Sequence, residues 1–304
     1  MSPIDPDPQD APDLEAMAAK LEATGTYRVL RKLTPRPSCE PPSGTAIRQG
    51  LFVDTETTGL DPARDEIIEL AMVPFTYSLD GRIFEIRGAF EKLREPERPI
   101  PAEITAITGI TDEMVAGQAI DPVEVAAFAR SAAHVIAHNA AFDRRFVERL
   151  SDVFTIKPWA CSMTQIDWAA EGYEGTKLAY LAMGAGFFYE RHRAAHDCIA
   201  AIELLAMSLP KAGVPAMARL LERARRPSWR IWALNSPFDL KDVLKARGYH
   251  WNGDGNPNPR AWYIDVDEDV REQELAYLRA EIYQREVDIL VRKITAYERF
   301  SDRS

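Results

Sequence analysis

Leu51-Phe52-Val53-Asp54-Thr55-Glu56-Thr57-Thr58-Gly59-Leu60 (residues 51–60) is a short apolar strand that ends in two acids and then in a turn. Side chains alternate along a strand, so Phe52, Asp54 and Glu56 share one face while Leu51, Val53 and Thr55 take the other. Two carboxylates at the end of an apolar strand repel each other unless something positive lies between them. A hard divalent cation with oxygen ligands meets that need. On its own, an Asp-x-Glu pair is more often a solvated strand end.

Outward from this stretch the pattern is mixed. Residues 65–78 (DEIIELAMVPFTYS) and 81–90 (GRIFEIRGAF), joined through Leu79-Asp80-Gly81, read as a hairpin whose Asp-Gly supplies the turn. Helices are expected near Glu103–Ile107 and Asp121–Ala133, then a buried strand over residues 133–138, then a helix from Asn139 to Leu150. Further helices are expected over Thr176–Ala185 and Arg193–Ser208. Three strands, a helix, a strand and a helix imply one mixed sheet covered by helices.

Two more segments carry chemistry. In His138-Asn139-Ala140-Ala141-Phe142-Asp143, Asp143 falls in the first turn of a helix, where a carboxylate is favoured whether or not it binds anything. In His192-Arg193-Ala194-Ala195-His196-Asp197, Asp197 lies on an amphipathic helix and His192 in the loop five residues before it. His196 reads as a surface neighbour.

Taken in order with the strings FVDTETTGLDP, DEIIELA and ITGIT (residues 52–62, 65–71 and 107–111), these motifs resemble the DEDDh 3'–5' exonuclease superfamily, the DnaQ-like group. The resemblance covers roughly residues 48–208. It implies a ribonuclease H-like α/β fold with a five-stranded mixed sheet. It also implies that Asp54, Glu56, Asp143 and Asp197 hold two divalent ions, Mg²⁺ or Mn²⁺, with His192 as general base. Thr57, Thr58, Gly59 and Leu60 would lie beside the terminal nucleotide, with Phe142 against its base or sugar. For Asn139 both a helix cap and a substrate contact stand open. The expected partner is nucleic acid with a free 3' end, DNA ahead of RNA, and the sequence names no protein partner. No clamp-binding segment of the QLxLPL type occurs, so a free-standing repair or processing enzyme is expected rather than a polymerase subunit. An RNA exonuclease is the near alternative. A catalytically inactive nucleic-acid-binding scaffold is the distant one, and it would be expected to lack at least one of the five motif residues.

Composition bounds the rest. The chain has 304 residues, 46% of them hydrophobic, and a net charge of −10. That is enough for about two domains. No uncharged apolar run approaches the roughly 18–20 residues of a membrane span, and the acidic, Pro-rich start is not a secretory signal. Cys39, Cys161 and Cys198 are isolated, which fits a reducing, cytoplasmic setting. The charge is uneven: residues 47–208 carry 15 basic and 25 acidic side chains, residues 209–264 carry 10 and 4. Three parts are therefore expected. Residues 1–46 form a tail with a short helix over Asp13–Thr24, a strand over Tyr27–Leu33 and a Pro-rich linker. Residues 47–208 form the catalytic domain. Residues 209–304 form a basic α+β module holding four of the six tryptophans and closing on one long helix from Glu268 to about Phe300. Arginines interleaved with aromatics serve either single-strand binding or a small aromatic core with a solvated exterior.

Overall fold

The computed structural model describes residues 13–253 and 258–303. The start of the expected N-terminal tail lies outside the described residues, as do residues 254–257. Helix α1 (Leu14–Ala23), capped by the Asp13 carboxylate, and the two-residue strand β1 (Arg31–Lys32) precede the main domain. Then come β2 (Ile47–Thr57), β3 (Ile67–Ser78), β4 (Ile83–Ile86) and β5 (Phe90–Leu93), followed by α2 (Ala102–Thr108), α3 (Asp112–Val115) and α4 (Pro122–Ala129). β6 (His134–Ala137), α5 (Ala140–Leu150), β7 (Trp159–Cys161), α6 (Leu178–Gly184), β8 (Phe187–Phe188), α7 (Ala194–Ala206) and α8 (Ala216–Arg225) complete it.

The mixed α/β architecture is as expected. Five strands run in the order β4-β3-β2-β6-β7, and a sixth, β5, pairs with the same edge of β3 as β4 does. β2 is antiparallel to β3 and parallel to β6, so the sheet is mixed. All twelve residues of β3 are buried, because helices cover both faces. Phe52, Val73 and Phe75 pack against α6, α7 and α8 on one side; Leu51, Val53 and Met72 pack against α4 and α5 on the other. The hairpin turn is where Asp80-Gly81 places it. Gly81 has φ +85°, and a Cβ there would also collide with the Ala218 backbone of α8.

The N-terminal segment is tied down more firmly than a linker. Of the strand expected over Tyr27–Leu33, only Arg31–Lys32 pairs, in parallel with β8. Arg28 donates to the carbonyls of Met183 and Gly184, and the Arg36 backbone and guanidinium both bond the buried Glu203 carboxylate.

Beyond Pro227 stands a second sheet, β10-β11-β9-β12, with β9 (Ser228–Ala233), β10 (His250–Trp251), β11 (Trp262–Val266) and β12 (Val291–Ile294). Helices α9 (Lys241–Ala246) and α10 (Arg271–Tyr277) cover one of its faces. The single helix expected from Glu268 to Phe300 is not formed. Helical turns run only to Tyr283, where Gln284 adopts φ +52°; Val291–Ile294 then pairs antiparallel with β9. Leu275, Leu278, Ile282, Ile289 and Ile294 are all buried, yet Ile289 and Ile294 reach the core from a loop and a strand. α8 buries Met217, Leu220 and Leu221 in the same core as the main sheet. Among the described residues no helix is long and apolar enough to cross a membrane.

Candidate active site

β2 carries Asp54 and Glu56 to the carboxyl end of the sheet, on the face covered by α7, which brings Asp197 from its first turn. Carboxylate oxygens of Asp54, Glu56 and Asp197 lie within 4.8 Å of one another. Asp143 comes from α5 on the opposite face. Its Oδ1 accepts hydrogen bonds from the Thr55 backbone N–H (3.1 Å) and hydroxyl (2.9 Å), and the residue is only 2% exposed. Three acids thus share one tight group, and the fourth is anchored to the residue between two of them.

Asp197 is held at both oxygens: the Tyr189 hydroxyl donates to Oδ1 (2.7 Å) and the His192 backbone N–H to Oδ2 (2.9 Å). His192 itself is exposed and has φ +61°, a left-handed turn that His tolerates better than most residues. The charges in this group are uncompensated. Burial first, then Asp143, Asp197, Glu56 and Glu69, push the Asp54 carboxyl well above the usual range. Glu56 is pushed up to about 8 by burial, then by Asp197 and Glu69. Burial lifts Asp143 to about 7 even though the Thr55 bonds favour its charged form.

Glu69 is the acid that sequence reasoning missed. It sits directly across from Glu56 in the β2–β3 register, fully buried, and accepts the Ala194 backbone N–H at the start of α7 (3.0 Å). Arg193 bridges it to Glu91, at 3.2 Å from each. The signal was present: a lone acid inside an apolar strand run needs a partner.

The flanking residues divide. Thr57 donates to the Gly59 carbonyl (2.6 Å), and Thr58 accepts the Glu66 N–H (3.0 Å). A side chain at Gly59 would meet the Asp65 carboxylate at 2.5–2.7 Å, so that carboxylate would have to move. Leu60 is 81% exposed at its tip, while Phe142 is half-buried against Phe146. The capping role for Asn139 is not realised: it stands at the N-cap with φ +89° and makes no side-chain cap bond. His138 bonds Ser162 Oγ (2.9 Å) and, through Nε2, the Thr176 carbonyl (2.8 Å). Burial holds it down to about 4, so it is a neutral strut. His196 is exposed beside Glu190, as a surface neighbour should be.

A sequence profile of the RNase_T family, described as "Exonuclease", matches residues 51–205, more than half of the chain. The chain belongs to this exonuclease family. A DNA polymerase III subunit epsilon-like protein of Rhodobacter capsulatus is 46% identical over 101 residues, which are 32% of this chain and 14% of that protein. A PolC-type DNA polymerase III of Clostridium perfringens is 35% identical over 165 residues, 52% of this chain and 11% of that one. The exonuclease chain thus spans only a small part of either relative. Exonuclease I, solved in complex with the inhibitor BCBP, is similar in fold, with a TM-score of 0.50 at 16% identity over 82% of this chain and 63% of that one.

Proposed function

We propose that the chain is a 3'–5' exonuclease that removes nucleotides from the free 3' end of DNA. Asp54, Glu56, Asp143 and Asp197 hold two divalent ions, Mg²⁺ or Mn²⁺, and His192 is the general base. The observation that carries this reading is the convergence of Asp54, Glu56 and Asp197 within 4.8 Å. The donor set fits such ions: it is all oxygen, half-buried and rich in unbalanced negative charge. Bound divalent ions supply charge neutralisation at the phosphate and an acidified water.

The chain's own residues do the rest. Tyr189 and the His192 N–H fix the orientation of Asp197, and Thr55 fixes Asp143, so each carboxylate is set before substrate arrives. His192 is joined to Asp197 through its own backbone N–H, and an imidazole is suited to general-base work. The exposed Leu60 and the uncapped Asn139 leave side chains free to meet a terminal nucleotide beside Phe142. The names of the two polymerase relatives favour DNA over RNA. All five motif residues are present, which weighs against an inactive scaffold. Three cysteines without disulfides fit the proposed cytoplasmic setting.

A time course on end-labelled single- and double-stranded DNA and RNA, with Mg²⁺, Mn²⁺ and EDTA lanes, tests the proposal. Metal-dependent shortening of DNA from its 3' end is expected. No shortening of any substrate overturns the activity, and shortening of RNA alone overturns the choice of DNA. His192→Asn keeps a residue suited to a positive φ and removes the base; turnover should fall by about 10²–10⁴-fold. Metal affinity by calorimetry should stay near the parent's, and an equal loss in both would contradict the base assignment.

The raised carboxyl groups also set a pH dependence. The folded, metal-free protein binds more protons than the unfolded chain between the ordinary carboxyl range and the values of about 7 and about 8 at Asp143 and Glu56. Its stability therefore falls as pH rises through that window. Divalent ions displace those protons, so Mg²⁺ should raise the melting temperature more at about pH 8 than at about pH 5. Scanning calorimetry with and without EDTA reads this directly.

A further inference from the structure

A cleft of about 480 Å³ separates the accessory module from the catalytic domain. One wall is the sheet face turned away from the module's own core, with Arg230, His250 and Tyr263. Across from it stand Arg145 on α5 and Gln165 in the loop after β7. The strand registers align Phe52 with Ile136 and Ile136 with Ala160. The loop that carries Gln165 thus leaves the sheet about two strand spacings, roughly 10 Å, from β2 and at the same carboxyl end of the parallel strands.

Three observations define what this cleft accepts. First, among the described residues four arginines and two aspartates line it, in a chain whose net charge is −10. Arg230 pairs with Asp265, Arg145 with Asp302 and Arg223 with Asp267, yet the lining remains cationic and suits a polyanion. Second, two donors at its wall have no partner among the described residues. Gln165 is 8% exposed, and the Cys161 N–H bonds its Oε1 at 2.8 Å, which leaves Nε2 as the unused end. Arg223 Nη1 is the other. Both residues also line a neighbouring pocket with Arg219 on α8 and Arg226 just after it, both paired with Glu222. Third, Tyr263 and the exposed His250 lie with ring centroids 6.0 Å apart, and the Arg230 guanidinium covers the Tyr263 ring at 4.4 Å. Flat rings beside arginines stack bases without regard to sequence. Of the tryptophans, by contrast, Trp232 is core, and Trp262 packs on the module's own interior.

We propose that this cleft holds the single strand of nucleic acid that lies upstream of the 3' end. Arg145, Gln165 and Arg223 contact its phosphates, and His250 with Tyr263 takes a base. The assignment rests on the exonuclease reading and gives the basic module its part in it: gripping the strand that the catalytic acids shorten.

Arg145→Glu changes a half-buried side chain and His250→Ala an exposed one, both outside the carboxylate site. Fluorescence anisotropy with labelled oligo-dT of about 20 nucleotides, in full-length protein carrying Asp54→Asn, measures the grip. Each change should weaken binding about tenfold, and Arg145→Glu should make the dependence of log K on log salt shallower by about one or more. Parental affinity and salt slope in both variants, with parental circular dichroism, overturn the assignment. If the parent degrades nothing and the variants still lose affinity, the exonuclease reading fails and the strand site stands.

Discussion

Asp54→Asn is expected to cut nucleotide release by about a thousandfold or more while the protein, in EDTA, melts higher than its parent. The substitution keeps shape and removes charge. Asp54 sits among Glu56, Asp143, Asp197 and Glu69, and burial together with these neighbours already resists its ionisation. Deleting that charge removes a ligand from any bound cation and relieves repulsion among the acids that remain. The rise should be about 2–4 °C for each kcal/mol of repulsion relieved. A release assay and a calorimetric scan check the two halves. Activity above a few per cent of the parent's would contradict the ligand role, and a lower melting temperature in EDTA would contradict the electrostatic account.

Arg144→Leu carries the largest expected loss of stability. This guanidinium is fully buried beside Asp143 on α5, stacks over Trp159 at 5.4 Å and bonds Glu148 at 2.7 Å. Its remaining N–H groups donate to the carbonyls of Tyr297 (2.6 Å) and Arg299 (2.7 Å), so it reads the backbone of the segment that follows β12. Leucine would leave Glu148 short of a cation and the carbonyls without donors. A loss of about 3–5 kcal/mol follows, or about 10 °C in melting temperature. Arg144→Lys keeps the charge but not the planar fork and should lose less. Hydrogen exchange over residues 295–303 should rise in both variants, and melting within a degree of the parent would contradict this role.

The central sheet was legible because its signals are local. The alternation in residues 51–56, the Asp-Gly turn at 80–81 and the apolar run of β3 each follow from a few adjacent side chains. Most of what was misread depends on distant ones. Asn139 has the composition of a cap but a backbone at φ +89°, set by the sharp passage from β6 into α5. Leu275, Leu278 and Ile282 do keep helical spacing. Val291–Ile294 departs from it because β9 offers an open edge, and that edge exists only once the module folds. At the site, the acids stood out by type and spacing. Their supports, Thr55 beneath Asp143 and Glu69 across from Glu56, come from pairing between residues far apart in the chain.

The clasp around Arg144 has a consequence for the order of assembly. The carbonyls it binds belong to residues 152 to 155 positions later in the chain. During synthesis the helix that bears Asp143 therefore emerges long before the backbone that completes its outer side. Loop closure over such a span is slow, so refolding from denaturant should show a late phase in which the catalytic helix gains its full protection from exchange.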